Sequence, residues 1–444
     1  MTLSNAQPGD AYAHHLSQVN QKNQVLATED IRNEKGVLLV KKGTPISEKM
    51  ADQVVKHKLT RPLEHSVNLE NVIDAGRLFK AFSSLFKRYP DCETVHHAQT
   101  LQLLLRELCS VYDGYSLLKQ KLTVLSMQRP HDFEKGLFCA WFSMALAHKM
   151  DLPQQQISDA FLAGLMHDTG MLHISRDILD KKGQLTPDDW RTIQSHPLIG
   201  ELFLKQIPGL SPMVARATLE HHERRDGTGY PVGKFEEKLS TVGQIVAIAD
   251  SICAIRMLRL SSSGGNLANL LPIIQFNGRS YDPECYRALF SMIRSAGLQP
   301  GRMLSDKEVA AEIDSLISAH QQLNSCFEPL AEVLEFLPED SDQRRIRSAV
   351  LLVQGCWFAV ASSGLLAASL SQWLGQIKSS SDQTSYAAVE EIKVMLKELH
   401  WQLVQVRKSL AMLKGAECFQ VPQTQQALNQ ALQVQQGLDQ VFKR

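Results

Sequence analysis

The sequence lacks closely spaced cysteines and net charge, and no secretory signal pattern is apparent near residue 1. Its eight cysteines include no Cys-x-x-Cys pair, and 47 Lys plus Arg balance 47 Asp plus Glu. Residues 1–30 contain no basic stretch followed by an apolar core. Scattered thiols argue against a disulfide framework or a structural zinc finger, and the zero net charge argues against large nucleic acids as partners. We therefore expect a cytoplasmic protein with reduced thiols.

Charged side chains are also absent from residues 348–377, directly after a basic cluster at 344–347. A membrane helix with a positive-inside anchor would show this pattern. However, glycine, serine and glutamine interrupt the run repeatedly, and small or polar residues at such density are typical of a helix inside a bundle. We therefore expect a core helix and no membrane association, with the membrane helix as the alternative.

The sequence does contain enough apolar residues for a sizeable core. A chain of 444 residues, 44% apolar and 21% charged, is typical of a globular protein with two or three domains. Strand signals at 37–40, an Asn-to-Gly turn at 33–36 and a helix start capped by Ser47 predict a small α/β module over residues 1–66. Leucines at helical spacing predict a helical connector over 67–128.

Residues 129–299 are predicted to be mostly helical, with polar motifs at helix ends and in loops, where function concentrates. The predicted helices cover 133–149, 157–167, 187–207, 213–222 and 242–259. Residues 306–444 are helical in pattern and carry no catalytic constellation, so we expect an antiparallel helical bundle there. The predicted fold class is mainly α.

An ordered series of histidines and aspartates runs through the predicted helical domain. It supplies four imidazoles and two carboxylates, a ligand set that suits transition metals, and carboxylates can bridge two ions. The motifs are His167-Asp168-Thr169-Gly170, His196-Pro197-Leu198-Ile199-Gly200, His221-His222-Glu223, Asp226-Gly227-Thr228-Gly229-Tyr230-Pro231 and Ala249-Asp250. Their combination favours a polynuclear metal centre.

Each motif taken alone has an ordinary structural interpretation. A lone pair such as His167 and Asp168 is usually a surface or capping pair, although adjacent helical side chains diverge by about 100° and can hold two ions. Asp250 lies in an apolar helix and needs a cation or donors nearby. A helix salt bridge from Arg256 or Arg259 is the alternative partner. The order of all five motifs favours the metal site.

These motifs resemble those of the HD-GYP family, a subgroup of the HD metal-dependent phosphohydrolases. The resemblance covers residues 129–299, and the stretch at 223–231 is its most specific part. It implies an all-helical domain of five to seven helices with a di- or trinuclear metal centre. It also implies hydrolysis of the bacterial second messenger cyclic di-GMP to pGpG or GMP by metal-activated water.

The resemblance further implies roles for individual residues. Asp168 would bridge the ions, and His167 and Asp168 would be catalytic. Gly229, Tyr230 and Pro231 would shape a substrate loop, and Arg259 would contact phosphate. The cofactor would be two divalent transition-metal ions, iron or manganese. The implied metal ligands are His167, Asp168, His196, His221, His222 and Asp250.

The chain departs from the family pattern near the first ligand. Lys135 and His131 occupy the places of an early histidine and a preceding glutamate, and a lysine there would repel a cation. A local shift of register would instead present His131 or Glu134 as a ligand. With Lys135 in place, one ion keeps Asp168, His196, His221 and His222, whereas the second keeps only His167, Asp168 and Asp250.

Further departures affect positions expected to handle substrate: Met171, Gln244, Cys253 and Leu260 replace family residues. Two alternatives to the phosphodiesterase therefore stay open. One is a degenerate HD-GYP module, weak or inactive, that signals by binding a ligand or a partner protein. The other is hydrolysis of a different phosphoester. In each case the N-terminal module and the C-terminal bundle would serve as regulatory or docking parts for signalling proteins.

Overall fold

The fold is described from a computed structural model. The structure describes residues 10–442 except 236–237, 262, 278–281, 339–340 and 381–382. The chain divides into two compact units. We call them the N-terminal unit, made of Met1–Glu223, Tyr230–Val232 and Leu239–Ala254, and the C-terminal unit, made of Arg224–Gly229, Gly233–Lys238 and Ile255–Arg444.

The N-terminal unit begins with a small α/β module, as predicted. Strand β1 pairs antiparallel with β4 in the register Val25↔Leu69, and β2 pairs with β3. Ser47 caps α2 by accepting a hydrogen bond from the Met50 amide. Strand β4 lies just beyond residue 66, where the predicted module ends. Its pairing with β1 is a long-range contact, which a local sequence pattern does not reveal. The elements are α1 Asp10–Val19, β1 Val25–Ala27, β2 Ile31–Arg32, β3 Leu38–Val40, α2 Glu48–Val55 and β4 Val67–Leu69.

Eleven further α-helices lie in the described part of the N-terminal unit, with a short 3-10 helix at Thr169–His173. The connector consists of α3 Ala75–Arg88, α4 Pro90–Ala98, α5 Gln102–Asp113 and α6 Ser116–Gln128. The polar motifs lie on or between α7 Pro130–Lys149, α8 Gln154–Met166, α9 Arg176–Leu179, α10 Pro187–Ile193, α11 His196–Leu204, α12 Pro212–Glu220 and α13 Thr241–Ala254. A mainly helical fold with a small α/β part is confirmed.

Helices α7 and α8 form the centre of this unit. The α7 side chains Phe138, Trp141 and Phe142 are fully buried. A Cβ atom added at Gly164 of α8 would lie 2.7 Å from the Cys139 carbonyl oxygen, and one at Gly136 of α7 would lie 2.9 Å from the Leu165 carbonyl oxygen. The glycines therefore allow the two backbones to approach closely. This approach brings the first turns of α7 beside the end of α8.

The helix predicted over 187–207 is two helices, α10 and α11, so this prediction was wrong in its continuity. Pro197 lacks an amide hydrogen, and therefore cannot bond the Ile193 carbonyl four residues earlier. The helix is interrupted at 194–195. Pro197 lies in the first turn of α11, where a missing amide hydrogen costs nothing.

The C-terminal unit is a helical bundle with a continuous apolar core. A π-helical turn at Ile255–Leu260 follows α13 and continues the helix predicted over 242–259. The helices are α14 Leu271–Phe276, α15 Pro283–Ser295, α16 Asp306–Phe336, α17 Arg344–Ser363, α18 Ser369–Ser380, α19 Tyr386–Ala411 and α20 Pro422–Phe442.

The uncharged run at 348–377 is not one helix. Helix α17 ends at Ser363, and Gly364 adopts a left-handed conformation with φ of 70° before α18 begins. Val353, Val360 and Leu374 are buried in the bundle core. Among the described residues, one helical span has the length and hydropathy of a membrane helix, Thr241–Leu260. Of its most apolar window, 67% is buried inside the structure, as in the core helix of a globular protein.

Candidate metal centre

The N-terminal unit brings all six predicted ligands together. Four of them, Asp168, His196, His221 and His222, offer ligand atoms within 4.8 Å of one another; we call these four residues the metal cluster. His167 and Asp250 form a second group with Cys139, again with ligand atoms within 4.8 Å. His222 is partly exposed, and the other members of both groups are buried.

Three histidines of the centre share one orienting contact. Each Nδ1 lies within hydrogen-bond distance of the carbonyl oxygen three residues earlier, at 2.8 Å for His167 to Gly164, 2.7 Å for His196 to Ile193 and 2.6 Å for His221 to Thr218. A carbonyl can only accept, so Nδ1 carries the hydrogen in each ring. Each Nε2 then faces the centre as the nitrogen that could bind a metal ion, which is the usual arrangement of metal-binding histidines.

The His-Pro dipeptide has a physical role in this arrangement. Pro197 leaves the Ile193 carbonyl without its amide partner, and the His196 ring donates to that same oxygen. Proline therefore creates the acceptor that orients the preceding imidazole.

The motif glycines hold the two ends of the centre together. A Cβ atom at Gly170 would overlap the carbonyl oxygen of His196, and one at Gly200 would lie 2.9 Å from Cγ2 of Thr218. A larger residue at either place would therefore push the segments that carry the histidines apart.

Asp168 is the most central carboxylate. Its Oδ1 lies 3.3 Å from His196 Nε2 and 4.0 Å from His221 Nε2, and its Oδ2 lies 3.1 Å from His167 Nε2. Burial favours a raised pKa, but the positive charges of His167 and Lys135 outweigh it and hold the pKa of Asp168 well below its usual range. Asp168 is therefore ionised and available as a ligand.

The donor set fits a metal ion. Within the described part of the chain, His167 Nε2, Asp168 Oδ1 and Asp250 Oδ1 are buried without a hydrogen-bond partner. Buried polar atoms of this kind are costly unless a cation or a proton satisfies them. Burial acts to lower the pKa of His167, yet the Asp168 carboxylate raises it well above its ordinary value. The site therefore favours positive charge, which a metal ion would supply in exchange for a proton.

Lys135 also lies at this centre. Its Nζ donates a hydrogen bond of 2.7 Å to Asp168 Oδ2 and lies 3.3 Å from Asp250 Oδ1. Burial would lower the pKa of Lys135, but the two carboxylates raise it well above its ordinary value. The alternative ligands lie elsewhere: the His131 side chain is 58% exposed, and Glu134 pairs with Arg88 at 2.7 Å. The structure thus places Lys135 beside Asp168 and Asp250, as in the unshifted register.

Asp250 has different partners from those expected of a helix salt bridge. His167 Nε2 and His222 Nδ1 lie 3.7 Å and 3.6 Å from its oxygens, in addition to Lys135. Arg259 was one of the two arginines expected as an alternative partner of Asp250. Its guanidinium instead lies 3.7 Å from Glu398, within the C-terminal unit.

Sequence reasoning missed Cys139. It lies four residues after Lys135 on α7, so both side chains occupy the same helix face. Burial raises the pKa of the Cys139 thiol well above its ordinary value. This spacing is the one signal in the sequence that could have linked Cys139 to the site.

The predicted substrate loop has two residues in the N-terminal unit. The ring of Tyr230 lies 4.6 Å from that of His222, centroid to centroid, and the Tyr230–Pro231 peptide bond is cis. The Val232 amide donates to Oε1 of buried Glu223 at 2.8 Å. Glu223 therefore holds this part of the loop beside the metal cluster, a role not predicted from the sequence. Gly229 belongs to the C-terminal unit.

Comparison with known proteins identifies the domain that carries this centre. Residues 119–285 match the family described as HD domain. The chain is 35% identical over 158 residues to a cyclic di-GMP phosphodiesterase of Pseudomonas aeruginosa, covering 35% of this chain and 37% of that protein. It is 36% identical over 163 residues to a 3'3'-cGAMP-specific phosphodiesterase of Vibrio cholerae, covering 35% of each.

A third relative is a cyclic di-GMP phosphodiesterase of Thermotoga maritima, 33% identical over 156 residues, with 34% of this chain and 42% of that protein covered. The chain thus matches about two fifths or less of the length of these relatives. Residues 119–285 are an HD domain. Within that class, the His-Asp, His-Pro and Gly-Tyr-Pro motifs and the relatives place the domain in the HD-GYP family.

Proposed function

We propose that this chain is a metal-dependent phosphodiesterase that hydrolyses cyclic di-GMP to pGpG or GMP. The observation that carries the proposal is the metal cluster together with neighbouring His167: the rings of His167, His196 and His221 are anchored through Nδ1 and turn Nε2 toward the centre beside Asp168. The names of the relatives in Pseudomonas and Thermotoga support the substrate.

The chain's own residues would bind and orient the reactants. Asp168, His196, His221 and His222 would hold an ion, and a bound divalent ion supplies Lewis acidity and lowers the pKa of a bound water. Iron and manganese suit this mixed imidazole and carboxylate set. His167 and Asp168 would keep the charge at the reacting end of the site fixed before substrate arrives, which is how preorganised groups stabilise a charged transition state.

The substrate loop would position the dinucleotide. Tyr230 packs against His222 and would limit the movement of that ligand while shielding the centre from bulk water. Gly229 and Pro231 would give the loop its shape, and Arg259 would contact a phosphate. No side chain of the centre is required as a nucleophile, because an activated water suffices.

The second candidate function is a signalling module with little or no turnover. The observation that favours it is that the Lys135 ammonium forms ion pairs with two of the six predicted ligands, Asp168 and Asp250. Such a module would act through a bound cyclic dinucleotide or through a partner protein at the N-terminal module or the C-terminal bundle. For both candidates we propose a cytoplasmic location, where cyclic dinucleotides are made and used.

Turnover by the full chain tests this proposal. Purified protein supplied with Mn²⁺ or Fe²⁺ is incubated with cyclic di-GMP and, in parallel, with 3'3'-cGAMP, and products are separated by chromatography. We expect linear pGpG or GMP from cyclic di-GMP, no product from Asp168→Asn, and normal turnover by His131→Ala, whose ring is exposed. Preferred cleavage of 3'3'-cGAMP would contradict the substrate, and no product from either would favour the signalling module.

A further inference from the structure

Lys135 makes a contact that a surface lysine would not. Its Nζ lies 2.7 Å from Asp168 Oδ2 and 3.3 Å from Asp250 Oδ1, so one ammonium joins two carboxylates; we call this contact the lysine bridge. Both aspartates are buried, with side chains 3% and 9% exposed. These carboxylate oxygens face the same small volume as His167 Nε2, which lies 3.1 Å and 3.7 Å from them.

The backbone around Lys135 fixes this position. The next residue, Gly136, is so close to α8 that an added Cβ would lie 2.9 Å from the Leu165 carbonyl oxygen. His167 and Asp168 come directly after that helix end. The stem of Lys135 therefore starts near the end of α8, which Asp168 directly follows.

The lysine bridge and a second metal ion would compete for the same atoms. Asp168 Oδ2 and Asp250 Oδ1 are the carboxylate oxygens nearest His167 Nε2, and each lies within ion-pair distance of Nζ. A divalent ion held by these three groups would lie within a few ångströms of the ammonium, and in a buried site such like charges repel strongly. At the metal cluster, the Asp168 oxygen that lies near His196 and His221 is Oδ1, whereas Lys135 contacts Oδ2.

We propose that the Lys135 ammonium stands in place of the second metal ion, so that the centre binds a single ion at the metal cluster. Lys135 is then a positioning residue: it holds Asp168 and Asp250 in place and supplies one fixed positive charge where a second ion would supply two. The lysine, unlike an ion, cannot dissociate or activate a water. This inference rests on the proposed metal-dependent function and narrows it to a one-ion centre.

Ion counting tests the proposal directly. Metal-free full chain is loaded with Mn²⁺, freed of excess ion by gel filtration and analysed for manganese per chain. We expect one ion in the parent protein and two in Lys135→His, in which an imidazole replaces the ammonium next to His167, Asp168 and Asp250. Lys149→His, at the end of the same helix, is the matched control and should bind one ion.

Electron paramagnetic resonance gives a second readout that a purely structural role would not change. Two Mn²⁺ ions that share Asp168 couple magnetically, so Lys135→His should show the spectrum of a coupled pair, and the parent protein that of an isolated ion. Lys135→Met covers the case in which the histidine variant does not fold. Its metal-free form should melt at a lower temperature than the metal-free parent, because two buried carboxylates lose their cation. Added Mn²⁺ should raise the melting temperature of Lys135→Met by more than it raises that of the parent.

The outcomes separate the inference from the proposed function. Two ions in the parent protein would overturn the one-ion centre and leave the phosphodiesterase proposal intact. One ion in both the parent and Lys135→His, or an unchanged response of Lys135→Met to Mn²⁺, would also overturn it. No ion in the parent with either Mn²⁺ or Fe²⁺ would overturn the metal-dependent function itself.

Discussion

Each anchored histidine of the centre owes its orientation to a carbonyl of its own chain three residues earlier. This contact is local, and it explains why the motifs can be recognised in sequence: the residues needed to orient a ring lie beside it. That the six residues lie together could be predicted from the ordered motifs, and their role as ligands stays a prediction. The contribution of Cys139 and the contact of Lys135 with Asp250 could not be predicted, because both depend on how α7 crosses its neighbours.

Loss of one anchored ligand should remove the bound ion. His221→Ala deletes a buried imidazole of the metal cluster, and we expect a loss of metal affinity and of kcat/KM beyond the roughly 10- to 100-fold typical of losing an outer-shell partner. Isothermal titration with Mn²⁺ measures the affinity. His148→Ala, an exposed histidine on α7, should change neither quantity. Equal Mn²⁺ affinity in His221→Ala and the parent would contradict the assigned ligand.

At the scale of elements, the centre depends on close approach of helix ends. The motif glycines mark these approaches, but sequence alone does not say which backbone each one meets. The break between α10 and α11 shows the same limit: a continuous periodic pattern over 187–207 predicted one helix, whereas the missing amide of Pro197 and the orientation of His196 favour two.

Gly170→Ala should therefore damage the site although it replaces no predicted ligand. The added methyl group would overlap the His196 carbonyl oxygen, and moving α11 away to relieve that overlap should cost roughly 1–3 kcal/mol of unfolding free energy. We expect weaker Mn²⁺ binding together with a lower unfolding midpoint. Gly183→Ala is the control, because nothing lies within 4 Å of its added Cβ. Identical midpoints for the two variants would refute the close approach.

A buried polar cluster ties the α/β module to the connector and to the turn after Asp168. Lys121 Nζ lies 3.2 Å from Glu64 Oε1 and donates to His173 Nε2 at 2.8 Å. Burial, followed by the charge of Lys121, lowers the pKa of His173 to about 3. Burial would raise the pKa of Glu64, but Lys121 outweighs it and lowers that pKa to about 2.

These pKa values predict a pH dependence of stability. The unfolded state binds a proton at His173 below its ordinary pKa of 6.5 and the folded state does not until about pH 3, so stability falls as pH drops through this window. The Glu64 contribution is lost only below pH 4.5. Protonation of His173 in the unfolded state should lower the free energy of unfolding at pH 5 by up to about 2 kcal/mol relative to pH 7.5.

Urea unfolding of the metal-free chain at pH 5 and pH 7.5 measures this effect. His173→Gln keeps an acceptor for Lys121 and cannot titrate, so its stability should change less between the two pH values than that of the parent. His57→Gln, at an exposed position, should behave like the parent. The same pH response in parent and His173→Gln would show that the folded state does not keep His173 neutral at pH 5.

At the scale of the whole molecule, the C-terminal unit contains more than the bundle expected from the sequence. It includes Arg224–Gly229 and Gly233–Lys238, the segments that flank Tyr230–Val232 in the chain. Within this unit, Nη2 of Arg344 donates to the Gly227 carbonyl at 3.2 Å, and the Arg347 guanidinium lies 4.1 Å from the centre of the Phe235 ring. Helix α17 therefore anchors both flanks of the substrate loop. Such contacts are long-range and leave no local pattern.

Arg344→Ala should loosen the substrate loop without changing metal binding. Losing one hydrogen bond of about 1 kcal/mol predicts a decrease in kcat/KM of about five-fold at an unchanged number of bound ions. Arg345→Ala, at an exposed position one residue away, is the control and should keep full activity. Steady-state kinetics with cyclic di-GMP provide the comparison, and equal kcat/KM in the two variants would argue against an anchoring role for α17.

We propose that one metal ion at Asp168, His196, His221 and His222, beside a fixed lysine, supports hydrolysis of a cyclic dinucleotide. Titration of metal-free protein with Mn²⁺ tests it most directly when bound ion and the rate of cyclic di-GMP hydrolysis are measured on the same samples. We expect a rate that rises in proportion to occupancy and levels off at one ion per chain. A rate that appears only with the second ion, or no hydrolysis at full occupancy, would contradict it.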